Sequence, residues 1–117
     1  MDYIYKVVFH LDDEKKGKNA LNNAKNLLDD IEIGNKKLEI EILSNSTGIK
    51  TFKKNNNNQK EQIQELQSMG VKIAICNNTI KGLNLEKKDF VEGVNIVPSG
   101  VGELTKKQSE GWAYIKV

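Results

Sequence analysis

The amino-acid sequence predicts an α/β domain in which strands and helices alternate from one end to the other. Short apolar runs of strand length recur along the chain, and each of the first four is followed by a segment with helical features. Such alternation implies right-handed crossovers and a parallel sheet with helices on both faces. A chain of 117 residues suffices for one core of this kind, so we expect one domain over residues 1–117.

The strands are predicted from apolar runs and from alternation. The first run is β-branched and aromatic (YIYKVVFHL), which predicts a strand buried on both faces. The second alternates strictly (KLEIEIL), which predicts an exposed face and an edge position. The third (VKIAIC) predicts an inner strand, and two shorter runs follow it. The five predicted strands cover residues 3–11, 37–43, 71–76, 93–98 and 112–117.

The helices are predicted from apolar side chains at helical spacing and from end signals. Gly34 and Asn35 predict a stop and turn after the first helix, Gly70 ends the second, and Ser99 is a candidate N-cap for the last. The predicted helices cover residues 18–30, 59–70 and 99–111, with a helical turn at 49–54 and a short helix at 85–90. Loops are expected at 44–48, at the asparagine tract 55–58 and at 77–84.

The composition excludes several classes of function. All 18 basic residues are lysines, mixed with 16 acids, and without arginine we expect no sequence-specific nucleic-acid binding. No signal peptide and no membrane-length apolar run is apparent, so we expect a cytoplasmic protein without a membrane partner. One cysteine and one histidine give no zinc cluster, and the acids at 12–14 are expected to be solvated at a helix start. Neither a Walker loop nor a dinucleotide fingerprint occurs, so no cofactor is expected.

Ligands of such folds bind outside the carboxyl ends of the strands, near the point where the strand order switches. We expect a flavodoxin-like three-layer sandwich with a five-stranded, mainly parallel sheet, in which the first strand neighbours the third. That order would bring His10 and Cys76 to the same rim. The candidate catalytic residues are Cys76 and His10, and the candidate binding residues are Asn45, Gly48, Asn77, Asn78, Thr79, Ser99 and Gly100.

Cys76 is the residue on which the function depends. At the end of a strand, Cys76 is either a buried core residue, as free cysteines commonly are, or a reactive thiol at the rim of the sheet. Backbone N–H groups of the following turn, or a lysine such as Lys81, would ionise such a thiol to its reactive form. Without a second cysteine no dithiol mechanism is available in one chain. The reactions still open to a single thiol are nucleophilic attack, the carriage of sulfur as a persulfide, and transfer to a partner protein.

The other candidates have structural alternatives. His10 would act as a proton carrier or thiolate partner, or simply hydrogen-bond to a nearby loop. The backbone N–H groups near Gly48 and Gly100 would be able to bind an anion, although a requirement for glycine in tight turns explains these residues better. Trp112 and Tyr114 on the last strand are expected in the core or at a subunit interface.

The pattern as a whole resembles the DsrE/DsrF-like family, and within it the stand-alone intracellular sulfur oxidation type. The resemblance is carried by FH at 9–10, LNNAKNLL at 21–28, CNNT at 76–79 and VPSGVGEL with GWAYIKV near the C-terminus. It implies a flavodoxin-like fold, a homo-oligomer (trimer or hexamer), and a sulfur relay with donor and acceptor proteins. In that relay Cys76 matches the cysteine that carries sulfane sulfur as a persulfide.

Two positions depart from the family pattern. The chain has NSTG where relatives tend to have His-Gly-Pro-Gly, so Asn45 replaces a histidine. Asn77 replaces a glycine directly after the cysteine, and asparagine tolerates the left-handed conformation that glycine would serve. The alternative hypotheses are a non-catalytic oligomeric module that binds a small ligand or a protein and, by analogy of fold alone, a flavin or nucleotide binder.

Overall fold

The five strands form one sheet in the order β4-β3-β2-β1-β5, and all neighbouring pairs are parallel. The computed structural model describes residues 4–33, 37–55 and 57–117; the predicted strand start at Tyr3, the turn at Gly34–Asn35 and Asn56 of the asparagine tract lie outside them. The strands are β1 Ile4–Leu11, β2 Lys37–Ser44, β3 Lys72–Cys76, β4 Asn95–Val97 and β5 Ala113–Lys116. The predicted α/β class and five-stranded parallel sheet are confirmed.

In the part of the chain that the structure describes, four α-helices and three short 3-10 helices connect the strands. The helices are α1 Gly17–Asp29, α2 Lys60–Ser68, α3 Asn77–Gly82 and α4 Gly100–Ser109, and the 3-10 helices are Glu14–Lys16, Ser46–Phe52 and Lys87–Asp89. The loop predicted at 77–84 is wrong, because α3 starts directly after β3 and buries Ile80 in the core. The loop predicted at 44–48 is also wrong in part, since a 3-10 helix begins at Ser46.

The predicted order of the strands is wrong. β1 pairs with β2 and β5, so the first strand does not neighbour the third. β2 lies at the centre, between β1 and β3, and the edge position predicted for it is wrong as well. Its alternating charges predicted a solvent-exposed face, but residues 40–44 are all buried. α4 covers Glu41 and Leu43 on one face, whereas Ile40 and Ile42 pack against the helices on the other face. β1 is buried only in part, since Ile4 and Tyr5 at its start are exposed.

The core has two layers, one on each face of the sheet. The larger cluster joins the strands to α1, α2 and α3, and its members from these three helices are Ala20, Leu21, Ala24, Ile63, Leu66 and Ile80. The smaller cluster joins Val8, Leu43 and Ala74 to Leu104 of α4. The three-layer arrangement is therefore confirmed, with α4 on its own face. Connections after β3 and after β4 leave to opposite faces, which places the switch point between these two strands.

Gly48 is required by close packing. A Cβ atom on it would lie 2.4 Å from the carbonyl oxygen of Leu11, at the end of β1. That same carbonyl accepts a hydrogen bond of 3.1 Å from the backbone N–H of Asn45. Because the obstacle is backbone, the space for a side chain cannot be made without moving the end of β1.

Glu41 is a buried carboxyl in the middle of the sheet, beneath α4. Lys107 Nζ lies 3.9 Å from Glu41 Oε1, 4.0 Å from Glu103 Oε2 and 4.5 Å from the centre of the Trp112 ring. Burial raises the pKa of Glu41 to about 8, and the adjacent Glu103 adds to this, whereas Lys107 and Lys72 oppose it. Among the described residues, Glu41 Oε2 has no hydrogen-bond partner, whereas a proton lets the carboxyl groups of Glu41 and Glu103 bond to each other.

We expect Gly48→Ala to lower the free energy of unfolding by about 1–3 kcal/mol, because the added carbon overpacks against backbone. The comparison is with Gly82→Ala at the end of α3, where an added Cβ meets nothing within 4 Å. Urea titrations of both variants measure the effect. Equal midpoints for the two would contradict the packing role of Gly48.

We expect wild type to lose stability relative to Glu41→Gln as pH rises from 5 to 8. Between the ordinary pKa of 4.5 and the raised value of about 8, the folded state binds the proton more tightly than the unfolded state. The contribution of Glu41 to the free energy of unfolding is therefore greatest below pH 4.5 and falls toward pH 8, by at most about 1.4 kcal/mol for each pH unit.

Denaturation midpoints at pH 5, 6.5 and 8 measure this difference. Glu39→Gln, at an exposed position on the same face of β2, is the control and should follow wild type. Parallel profiles for wild type and Glu41→Gln would contradict the assignment.

Candidate functional site

Cys76 lies at the switch point of the sheet. It is the last residue of β3, it pairs with Val97 of β4, and the chain then enters α3 without a loop. Two residues after Val97, Ser99 caps α4, which leaves toward the opposite face. The thiol therefore sits where two helices begin, and only 5% of the residue is exposed.

The surroundings of the thiol favour its ionised form. Burial raises the pKa of Cys76, but the hydroxyl of Thr79 and the backbone N–H groups of Thr79, Gly100 and Asn78 outweigh it, and the net pKa is lowered. These donors belong to the first turns of α3 and α4, so they act on the thiol from two helices together. All of them are neutral groups, which stabilise the thiolate without neutralising its charge.

The start of α4 is fixed by its cap. Ser99 is the N-cap, as predicted, and its hydroxyl accepts a 3.0 Å hydrogen bond from the N–H of Gly102. Gly100 is buried, and a Cβ atom on it would lie 3.1 Å from Asn45 Nδ2 and 3.4 Å from Leu43 Cδ1. The absence of a side chain at Gly100 therefore leaves room for the Asn45 amide beside α4.

Asn45 brings the end of β2 to the same rim. Ser44 is the register partner of Ile75, so the next residues of the two strands, Asn45 and Cys76, lie side by side. The N–H of Ser46 donates to the Thr79 hydroxyl at 3.1 Å, which ties this segment to α3. Ser46, at the first glycine of the pattern expected from the family resemblance, has a positive φ of 50°.

His10 lies at the same carboxyl rim of the sheet, but on β1, which is one strand farther from Cys76 than the strand that leads to Asn45. Its Nδ1 is 2.6 Å from the Tyr114 hydroxyl and its Nε2 is 3.0 Å from Asn45 Oδ1. The prediction that β1 neighbours β3 is wrong, because β2 lies between them. His10 and Cys76 still lie at the same carboxyl rim of the sheet. A role for His10 as proton carrier stays a prediction, and the structure links it to the rim through Asn45.

The remaining sequence candidates have different roles in the structure. Gly48 serves packing, as described above. Asn77 is the first residue of α3 and is helical, so the left-handed conformation that asparagine tolerates is not used there. Asn78 contributes its backbone N–H to the thiol rather than its side chain. Asp13 caps the 3-10 helix at Glu14–Lys16, in agreement with the expected helix start.

Tyr114 was expected in the core or at a subunit interface, and its contact with His10 was missed. It lies on the edge strand β5, where 40% of it is exposed. Val8 is its register partner, which puts it two residues from His10 on the same face of the sheet. The two residues are 104 positions apart, so no local signal in the sequence indicates that they meet.

The described cavities lie away from the thiol. One of about 500 Å³ is polar and lies between α1, α2 and the Ser46–Phe52 helix, with Lys18, Lys50 and Gln62 among its lining residues. Within residues 4–33, 37–55 and 57–117, no three histidine, cysteine or acidic side chains are grouped so as to hold a metal ion. No helix among the same residues has the length and apolarity to cross a membrane.

Comparisons with known proteins agree on the fold and the family. A family model described as the DsrE/DsrF-like family matches residues 6–117. A protein of unknown function from Methanobacterium thermoautotrophicum, MTH1491, superposes with a TM-score of 0.87 at 34% identity, covering 97% of this chain and 99% of that chain. The ychN protein from E. coli superposes with a TM-score of 0.74 at 15% identity, covering 97% and 100% of the two chains, a likeness of fold alone.

No curated protein matches the chain in sequence. The family model covers β1 from Lys6 onward and the other four strands completely, and it includes both Cys76 and the rim around it. The relative at 34% identity spans almost the same length. The chain therefore belongs to the DsrE/DsrF-like family, and this membership suggests a function related to sulfur relay.

Proposed function

We propose that the protein carries sulfane sulfur as a persulfide on Cys76 and passes it to a partner protein. The observation that carries this proposal is the set of neutral donors around the thiol, which lowers its pKa despite burial. We further propose that it acts in the cytoplasm as a homo-oligomer (trimer or hexamer), between donor and acceptor proteins. Family membership supports the general class of function.

The chemistry requires one nucleophile and no cofactor. The Cys76 thiolate attacks the outer sulfur of a donor such as thiosulfate, an S–S bond forms to Cys76, and the donor's S–S bond breaks with its electron pair leaving on sulfite. The products are the Cys76 persulfide anion and sulfite, so the total charge and all atoms are conserved. Attack of an acceptor thiolate on the outer sulfur then regenerates the Cys76 thiolate.

A non-catalytic binding module of the same fold is the competing function, and the near burial of Cys76 favours it. Only 5% of the residue is exposed, so a structural thiol would react slowly with any reagent. The two functions therefore differ in the reactivity of this one sulfur atom, and the following experiments measure it.

We expect thiosulfate, or a persulfidated donor protein, to add about 32 Da to the intact wild-type protein. Cys76→Ser should show no adduct, because the chain then has no thiol. Intact-mass spectrometry before and after reduction measures the adduct, which dithiothreitol should remove. If wild type stays unmodified while an exposed control thiol in the same tube is modified, the proposal is wrong.

We expect the rate of alkylation by iodoacetamide to rise with pH to a plateau whose midpoint lies below 9.0, the ordinary pKa of the thiol. Because the thiolate is the reacting form, this midpoint reports the pKa of Cys76. Thr79→Val removes the hydroxyl donor and should move the midpoint upward, whereas Thr105→Val, on the exposed side of α4, should leave it unchanged. A wild-type midpoint at or above 9.0 would favour the binding module.

A further inference from the structure

The hydrogen bonds of His10 fix the orientation of the Asn45 amide. Oδ1 of Asn45 can only accept, so Nε2 of His10 carries the proton in the 3.0 Å contact. In the neutral ring Nδ1 is then an acceptor, and it receives the hydroxyl proton of Tyr114 over 2.6 Å. The amide is held by its oxygen, and its two N–H donors face away from His10.

Those donors face the rim that holds the thiol. Asn45 Nδ2 is 3.1 Å from the point that a Cβ atom on Gly100 would occupy, and the N–H of Gly100 acts on the Cys76 sulfur. The register of β2 and β3 puts Asn45 and Cys76 next to each other at the carboxyl edge. The amide therefore lies beside the thiol, on the side where α4 begins.

Other groups already stabilise the ionised form of the Cys76 thiol. Thr79, Asn78 and Gly100 lower its pKa, and they belong to α3 and α4. Sulfur transfer adds a second sulfur atom beyond the first, and the negative charge then resides mainly on that outer atom. An additional hydrogen-bond donor at the rim therefore stabilises the negative charge only after the outer sulfur atom has been transferred.

We propose that Asn45 recognises the transferred sulfur, donating from Nδ2 to the outer sulfur anion of the Cys76 persulfide. His10 and Tyr114 are positioning residues that hold the amide by its oxygen. This inference rests on the proposed function of Cys76. It assigns a role in sulfur transfer to Tyr114 on the edge strand β5, the last strand of the chain.

The test compares two reactions of the same sulfur. We measure the rate of adduct formation with thiosulfate and the rate of alkylation with iodoacetamide, and we take their ratio. Asn45→Ala should lower the ratio about tenfold or more, because a hydrogen bond to a charged group is lost in one reaction only. Tyr114→Phe should lower it about two- to fivefold, because the amide is held less firmly. Asn95→Ala, an exposed asparagine at the start of β4, should leave the ratio unchanged.

The ratio separates this inference from the proposed function. A wild-type protein that forms no adduct overturns both. A wild-type adduct with an unchanged ratio in Asn45→Ala overturns only the role of Asn45. A merely structural role for Asn45 would slow both reactions alike, and an unchanged ratio would show that as well.

The tautomer of His10 gives a second measurement that does not depend on transfer. The chain has one histidine, so its ring ¹⁵N signals are assigned without ambiguity. We expect the Nε2–H tautomer in wild type and an increased share of the Nδ1–H form in Tyr114→Phe. A predominant Nδ1–H tautomer in wild type would turn the amide oxygen toward Gly100 and would overturn the proposal.

Discussion

The connections of the sheet change sides between β3 and β4, and the chemistry of Cys76 depends on that change. α3 leaves β3 toward one face and α4 leaves β4 toward the other. Two helix starts therefore flank one strand end, and N–H groups without partners inside their own helices are directed at the same atom. A thiol at the end of β1 or β2 would meet the start of only one connection. The position of the site thus follows from the path of the chain.

The path of α4 also explains the buried carboxyl beneath it. To return from β4 to β5 the helix crosses the central strands, and it covers Glu41 on β2. Lys107 spans Glu41, Glu103 and the Trp112 ring, so the contact combines ion pairing with packing. The burial of a carboxyl with a raised pKa opposes folding at high pH. Gly100, which acts on the thiol, belongs to the same helix. The contacts that hold α4 on the sheet therefore also position this part of the site.

The donors around Cys76 are hydroxyl and amide groups rather than lysine side chains. Neutral dipoles lower the pKa of a thiol without forming an ion pair that would neutralise the charge of the thiolate. A thiol whose pKa lies near the ambient pH combines a useful fraction of thiolate with high nucleophilicity. Sulfur transfer needs both properties, since Cys76 must first attack a donor and later act as the leaving group.

The sequence alone determined the five strands, the helices α1, α2 and α4, the parallel class of the sheet, the Ser99 cap and the position of Cys76 at a strand end, because hydrophobic spacing and cap residues are local signals. It did not determine α3, which was predicted as a loop. Tertiary structure decided the strand order, since a crossover of the same local pattern can place the next strand on either side of its neighbours. It also decided the burial of Glu41, which depends on where α4 crosses the sheet. The contact of His10 with Tyr114 joins residues 104 positions apart, and only the pairing of β1 with β5 brings them together.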